Sequence, residues 1–193
     1  MLLVDEQELW YRFRDGDEEA FSTLSRQYYR KLLHYGQKFT ANSQLVEDAL
    51  QDLLIHLWLH RSALSDTPSV TFYLLKAFRH RLLKTLKRSN QHQTLDIEFD
   101  DKLLENSTEE KYIEQETDQL FERRVALLVA QLPARQREVI YLRFYQGLRP
   151  EEIASLLAIK PQSVSNILQR ALANLRENWP YTLLIGLLLF HIS

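Results

Sequence analysis

The sequence predicts an all-α protein of two small helical domains joined by an acidic linker. Three observations predict it. The chain has 193 residues with only 4 Gly and 5 Pro, few for a β fold, whose turns lean on both. Apolar residues recur three and four apart along several segments, and no stretch alternates in the manner of a strand. Charge is unevenly shared: Lys and Arg number 13 against 11 acids over residues 1–93, 2 against 10 over 94–118, and 9 against 5 over 119–193. The net charge of -2 therefore conceals two basic blocks around an acidic segment. The absence of cysteine excludes a disulfide scaffold and thiolate metal sites.

The first block reads as four helices over residues 1–90. Asp5 and Glu8 have capping-box spacing and open a short helix that stops near Gly16. Asp17 caps a second, with Phe21, Leu24, Tyr28, Leu32 and Tyr35 on its apolar side. Ser43 is placed to cap a third, which carries Val46, Ala49, Leu50, Leu53, Leu57 and Trp58. SALSDTPS, from Ser62 to Ser69, is a loop by composition, with Pro68 as its breaker. A fourth helix runs from Val70 to Arg88.

Two faces of this block go beyond core building. Asp48, Gln51, Asp52 and Ile55 lie three and four apart and share one stripe of the third helix; a solvated acidic face has the same pattern. Lys76, Arg79, Arg81, Lys84, Lys87 and Arg88 on the fourth helix are six cations with no acid between them, with His80 among them and Phe72 and Tyr73 just upstream. Mixed signs are usual on a passive helix, whereas aromatics beside a basic stripe suit unstacked bases and phosphates.

Residues 91–118 are polar and acidic with weak periodicity, which predicts a linker. A helix begins before Leu120 and carries Phe121, Val125, Leu128 and Val129, ending at Leu132-Pro133; another spans Ala134 to Gln146 and stops at Gly147. Pro150, Glu151 and Glu152 suit the first turn of the next helix, whose Ile153, Leu156 and Leu157 form the apolar edge and whose Ala154 permits close approach. Pro161 forbids continuation and starts a new helix. Val164, Ile167, Leu168, Ala171, Leu172 and Leu175 bury one side of that helix; Gln162, Ser163, Ser165, Asn166, Gln169 and Arg170 are left largely outward. Two short helices around a tight turn make a helix-turn-helix, with Ala158 where such turns commonly have Gly. Gln and Asn pair bidentately with adenine, and Arg170 and Lys160 reach guanine or phosphate.

These stretches resemble the extracytoplasmic-function (ECF) sigma factors. LPARQREVIYLRF followed by GLRPEEIASLLAIKPQSVSNILQRALANLRE is similar to their −35-reading domain; GDEEAFSTLSRQYYRKL, VEDALQDLLIHLW and FYLLKAFRHRLLKTLKR are similar, in order, to their other domain. The resemblance covers roughly residues 8 to 178 and is nearest to the short factors of the Bacteroidetes type. It implies that Glu47, Asp48, Gln51, Asp52 and Trp58 bind core RNA polymerase. It implies that Phe72, Tyr73, Lys76, Arg79, His80, Lys84, Lys87 and Arg88 belong to the helix that melts and reads the −10 element. The loop Ser62–Ser69 matches the one that pockets a flipped −10 base. Lys160, Gln162, Ser163, Ser165, Asn166, Gln169 and Arg170 match the −35 recognition helix, and the acidic linker matches a segment that threads the polymerase cleft. His80 stands where the family usually has Asn, and Ser165 and Leu172 stand where relatives are often basic.

The function expected is therefore that of a sigma factor, with core RNA polymerase and promoter DNA as partners and an anti-sigma factor as a further candidate. No Gly-rich phosphate loop, metal-ligand cluster or nucleophile–base pair is visible in the sequence, so neither catalysis nor a cofactor is expected. A stand-alone helix-turn-helix regulator would instead bind duplex DNA tightly alone, and a helical adaptor would have no effect on DNA. The domains are drawn at 1–90, 91–118, 119–178 and 179–193. The amino terminus lacks a basic region followed by an apolar one, so no secretory signal is expected and the location expected is cytoplasmic. WPYTLLIGLLLFHIS, from Trp179 to Ser193, is nearly all apolar, but its stretch from Tyr181 to Ile192 is only about half the roughly 20 residues that span a bilayer. No membrane insertion is expected; the tail is expected to pack against the chain's own domains, with docking to an anti-sigma factor or a second copy as the alternative.

Overall fold

The computed structural model describes residues 5–89 and 125–177. The acidic linker, the start of the helix expected before Leu120, and the apolar tail lie outside the described residues. The chain divides into two compact units, Met1–Ile97 and Glu98–Ser193. The described residues of each are helices, turns and loops, with no strand among them.

The first unit is a bundle of α1 (Glu6–Arg14), α2 (Glu18–Gln37), α3 (Ser43–Leu59) and α4 (Val70–Ser89). Its starts are chemically specified, because the first N–H groups of a helix have no partner inside it. The Asp5 side chain accepts from the Gln7 N–H at 3.1 Å, and Asp17 accepts from Glu19 and Ala20 at 2.9 and 3.0 Å. The third cap is Asn42 and not Ser43: its side-chain oxygen accepts from the Leu45 N–H at 3.2 Å, which makes Ser43 the first helical residue. Ser69 Oγ accepts from the Phe72 N–H at 3.1 Å and opens α4.

The apolar stripes meet as the spacing requires. Trp10, Phe13, Leu32, Tyr35, Leu50, Leu53, Phe78 and Leu82 are all buried, and each such side chain contributes on the order of 1.5–3 kcal/mol. Aromatic contacts run through the bundle: Trp10 meets Phe13 edge-on at 5.4 Å between centroids, Phe13 stacks on Phe21 at 5.2 Å, and Phe21 touches Trp58 at 5.1 Å. Tyr28 joins three helices, donating its hydroxyl to Glu6 of α1 while Thr71 Oγ1 of α4 lies at 2.8 Å. Gly36 leaves room for two neighbouring helices: a Cβ there would sit 2.4 Å from Val46 Cγ1 of α3 and 2.9 Å from Phe78 Cζ of α4.

In the second unit the chain is helical over 125–130 (α5) and then forms α6 (Ala134–Ile140), α7 (Pro150–Leu157) and α8 (Pro161–Glu177). The helix expected to continue to Gln146 is α-helical only to Ile140. It widens into a π-turn over Tyr141–Tyr145, in which the Gln146 N–H reaches back to the Tyr141 carbonyl at 3.2 Å. A hydrophobic spacing of three and four does not distinguish α from one wider turn. Val129, Leu132, Ile140 and Ala171 form a core cluster against which Val125, Leu168 and Leu175 pack. Arg137 donates to the carbonyls of Ala130 and Leu132 at 2.9 and 3.1 Å, satisfying the end of α5. Arg135 bridges the buried Glu138 at 3.0 Å and donates to the Leu157 carbonyl at 3.3 Å, tying α6 to the end of α7.

Candidate nucleic-acid and protein interfaces

The helix-turn-helix is formed by α7 and α8. Glu152 accepts from the Arg149 backbone N–H at 2.8 Å and so closes the first turn of α7. The helix ends because Ala158 adopts the left-handed conformation, with φ of 53° and ψ of 45°. Its N–H and that of Ile159 both reach the Ala154 carbonyl, the latter at 3.0 Å. This six-to-one bond around a left-handed residue is a Schellman closure. Lys160 then leads into Pro161, whose fixed φ suits the first helical position. The reversal at Ala158 lets Ile153, Ala154, Leu157 and Val164 all become buried.

Along α8 the expected recognition residues divide. Lys160, Gln162, Asn166, Gln169 and Arg170 are exposed, while Ser163 and Ser165 are half-buried. Gln162 Nε2 donates to Asn166 Oδ1 at 3.1 Å, which orients both amides on one face. Ser165 Oγ makes a long bond of 3.4 Å back to the Pro161 carbonyl. Leu172, expected to help bury the inner side, is 47% exposed. Ala171 already occupies the inward position with Leu168 and Leu175, and the 100° step between successive residues turns Leu172 away.

On α4, Lys76, His80, Lys84, Lys87 and Arg88 are exposed and follow one another at steps of three and four, forming one basic stripe. Arg79 and Arg81 are half-buried and do not belong to it: Arg79 lies 5.9 Å over the Phe39 ring, and Arg81 reaches Asp52 at 4.0 Å. The upstream aromatics are half-buried as well. Lys76 Nζ lies 5.4 Å over Phe72, and Tyr73 packs on Trp10 at 5.0 Å; burial raises the Tyr73 pKa and keeps its hydroxyl protonated. The loop before α4 contains a short 3-10 turn, Arg61–Ala63. Thr67 Oγ1 donates to the Ser69 carbonyl at 2.9 Å, and Asp66 pairs with Arg14 of α1.

On α3, Asp48, Gln51, Asp52 and Ile55 are exposed and Glu47 is half-buried. Asp48 accepts from Gln44 at 2.9 Å. Trp58 is half-buried, its ring between Phe21 at 5.1 Å and the Arg61 guanidinium at 4.3 Å. Leu59, 66% exposed beside Ile55 at 58%, extends the stripe into an apolar end that the acidic pattern did not announce. An exposed Leu on an apolar helix carries no sequence signal distinguishing it from a core Leu.

Two helical units thus stand in one chain, the first with an acidic stripe on α3 and a basic stripe on α4, the second with polar side chains on the second helix of a helix-turn-helix. The sigma-70 region 2 family matches residues 24–92, and the sigma-70 region 4 family matches residues 122–175. The chain belongs to the sigma-70 family of RNA polymerase sigma factors. Its relatives include factors of the extracytoplasmic-function group. It is 24% identical to the RNA polymerase sigma factor YlaC of Bacillus subtilis, over 83% of this chain and 92% of that protein. It is 26% identical to the ECF RNA polymerase sigma factor SigL of Mycobacterium tuberculosis, over 83% of this chain and 92% of that one. Two solved structures share the fold. CnrH, in complex with the cytosolic domain of CnrY, is 19% identical with a TM-score of 0.57, covering 89% of this chain and 95% of that chain. RpoE of Bartonella quintana, in complex with the anti-sigma factor NepR, is 16% identical with a TM-score of 0.55, covering 81% and 94%.

Proposed function

We infer that this chain is an initiation factor that directs core RNA polymerase to a class of promoters and helps open the duplex there. The observation that carries the reading is the order of its parts: a region 2 unit followed by a region 4 unit, the latter with exposed amides on its second helix. In this reading the factor works by binding and positioning, not by catalysis, and it acts where the polymerase acts, in the cytoplasm. No helix among the described residues is long and apolar enough to cross a membrane.

The proposed division of labour follows from surface chemistry. The α3 stripe of Glu47, Asp48, Gln51 and Asp52, continued by Ile55 and Leu59, supplies charge for steering and apolar area for a protein partner. The α4 stripe of Lys76, His80, Lys84, Lys87 and Arg88 neutralises phosphates along one strand. Phe72 is placed to meet a base only if its edge is uncovered from Lys76, so its part is secondary. Lys160, Gln162, Asn166, Gln169 and Arg170 enter the major groove at the −35 element. Gln162 and Asn166 act together, since their mutual hydrogen bond supplies the amide orientation that bidentate pairing to adenine needs. Trp58, half-buried three residues beyond Ile55, borders the same stripe. An anti-sigma factor is a proposed partner, by the likeness to RpoE bound to NepR.

The test is transcription from a promoter library by purified core polymerase with and without the chain. Enrichment of promoters sharing two elements supports the reading; no chain-dependent initiation rejects it. Tight duplex binding by the chain alone, without polymerase, would favour an independent regulator.

A further inference from the structure

His56 and His60 stand one turn apart near the end of α3, both exposed, with ring centroids 4.2 Å apart. They take no part in the surfaces assigned above. His60 Nδ1 lies 3.0 Å from the His56 backbone carbonyl. A carbonyl only accepts, so Nδ1 carries the proton and Nε2 is left with its lone pair. That is the outer hydrogen bond that metal-binding imidazoles ordinarily make, and it holds the ring in orientation. Asp52, one turn earlier on the same row and paired with Arg81 at 4.0 Å, is the nearest carboxylate along the helix.

We propose that His56 and His60 form a two-imidazole site for one borderline transition-metal cation of the Zn(II) or Cu(II) kind. Imidazole suits these ions, with Cu(II) bound more tightly than Zn(II). Among the described residues no group of three or more His, Cys, Asp or Glu side chains could hold a metal ion, so of those residues the site takes the two imidazoles alone, with water to complete the shell. The spacing of one turn makes the second bond intramolecular, which is the source of affinity above that of a lone surface histidine.

The test is titration of the full chain with ZnCl2 followed calorimetrically, and electron paramagnetic resonance of the chain with one equivalent of CuCl2. The wild type should show saturable binding and a Cu(II) signal with two coupled imidazole nitrogens. H56Q and H60Q should each weaken binding about tenfold or more and leave one coupled nitrogen, with helix content unchanged by circular dichroism. Absence of saturable binding by the wild type, or equal affinity in H56Q, H60Q and wild type, would overturn the site.

Discussion

Replacing Ala158 by Gly should stabilise the helix-turn-helix unit. Ala158 has a φ of 53°, a region where Cβ crowds the following carbonyl at a cost of about 1–2 kcal/mol. Gly removes that cost but loses more chain entropy on folding, about 0.5–1 kcal/mol. Ala158 is exposed, so its methyl contributes little burial, and the net gain is about 0.5–1 kcal/mol. For a unit of this size that is a rise of roughly 2–8 °C in its melting temperature. The assay is thermal unfolding of the full chain by circular dichroism, with hydrogen exchange at Ala158 and Ile159 to assign the change to the turn. Ala158→Val is the opposing control: a β-branched residue at positive φ is strained, so it should lower the same transition. If the Gly variant melts at or below wild type, or the Val variant melts higher, the left-handed closure is not what ends α7.

Four further outcomes follow from particular contacts. Gly36→Ala should destabilise the first unit by up to about 2 kcal/mol in urea unfolding: overpacking against Val46 and Phe78 costs about 1–3 kcal/mol, less about 1 kcal/mol of helix propensity. Val46→Ala should recover part of that loss in the Gly36→Ala background, and simple additivity of the two would refute the clash. Reversing Asp48 and Asp52 to Lys should abolish core-polymerase capture while changing stability by under about 0.5 kcal/mol, as exposed charges do; undiminished capture would remove the α3 stripe from the interface. Ser165→Arg should tighten promoter binding and steepen its salt dependence by a log–log slope of about 0.9 for one added phosphate contact, read by filter binding across a salt series. Asp17 is held below the usual carboxylate range first by the Ala20 N–H and then by Arg12. It therefore adds stability above the unfolded carboxylate pKa that is lost as pH falls through the folded value. Asp17→Asn should flatten the acid limb of the stability–pH profile, and an unchanged limb would show that the cap does not titrate in folding.

The helices of the first unit and their caps at Asp5 and Asp17 were legible in the sequence, because local hydrogen bonding and a period of three to four residues are properties of short stretches of chain. So were the break at Pro161 and the general character of the polar face on α8. Tertiary packing decided what local pattern leaves open. Arg79 and Arg81 carry the same charge as Lys76 and Lys84, yet a neighbouring ring and Asp52 hold them away from the basic stripe. Trp58 and Leu59 are adjacent and both apolar, but Trp58 packs on Phe21 while Leu59 faces solvent. Leu172 belongs to the apolar set by spacing and lies outside it by packing. Lys38 is fully buried at the end of α2, in a position that its residue type argues against. The π-turn at Tyr141 and the left-handed Ala158 are likewise backbone choices that neither residue type prefers. Periodicity defines which side of a helix is apolar; only the neighbouring helices, by what they cover, define where that side ends.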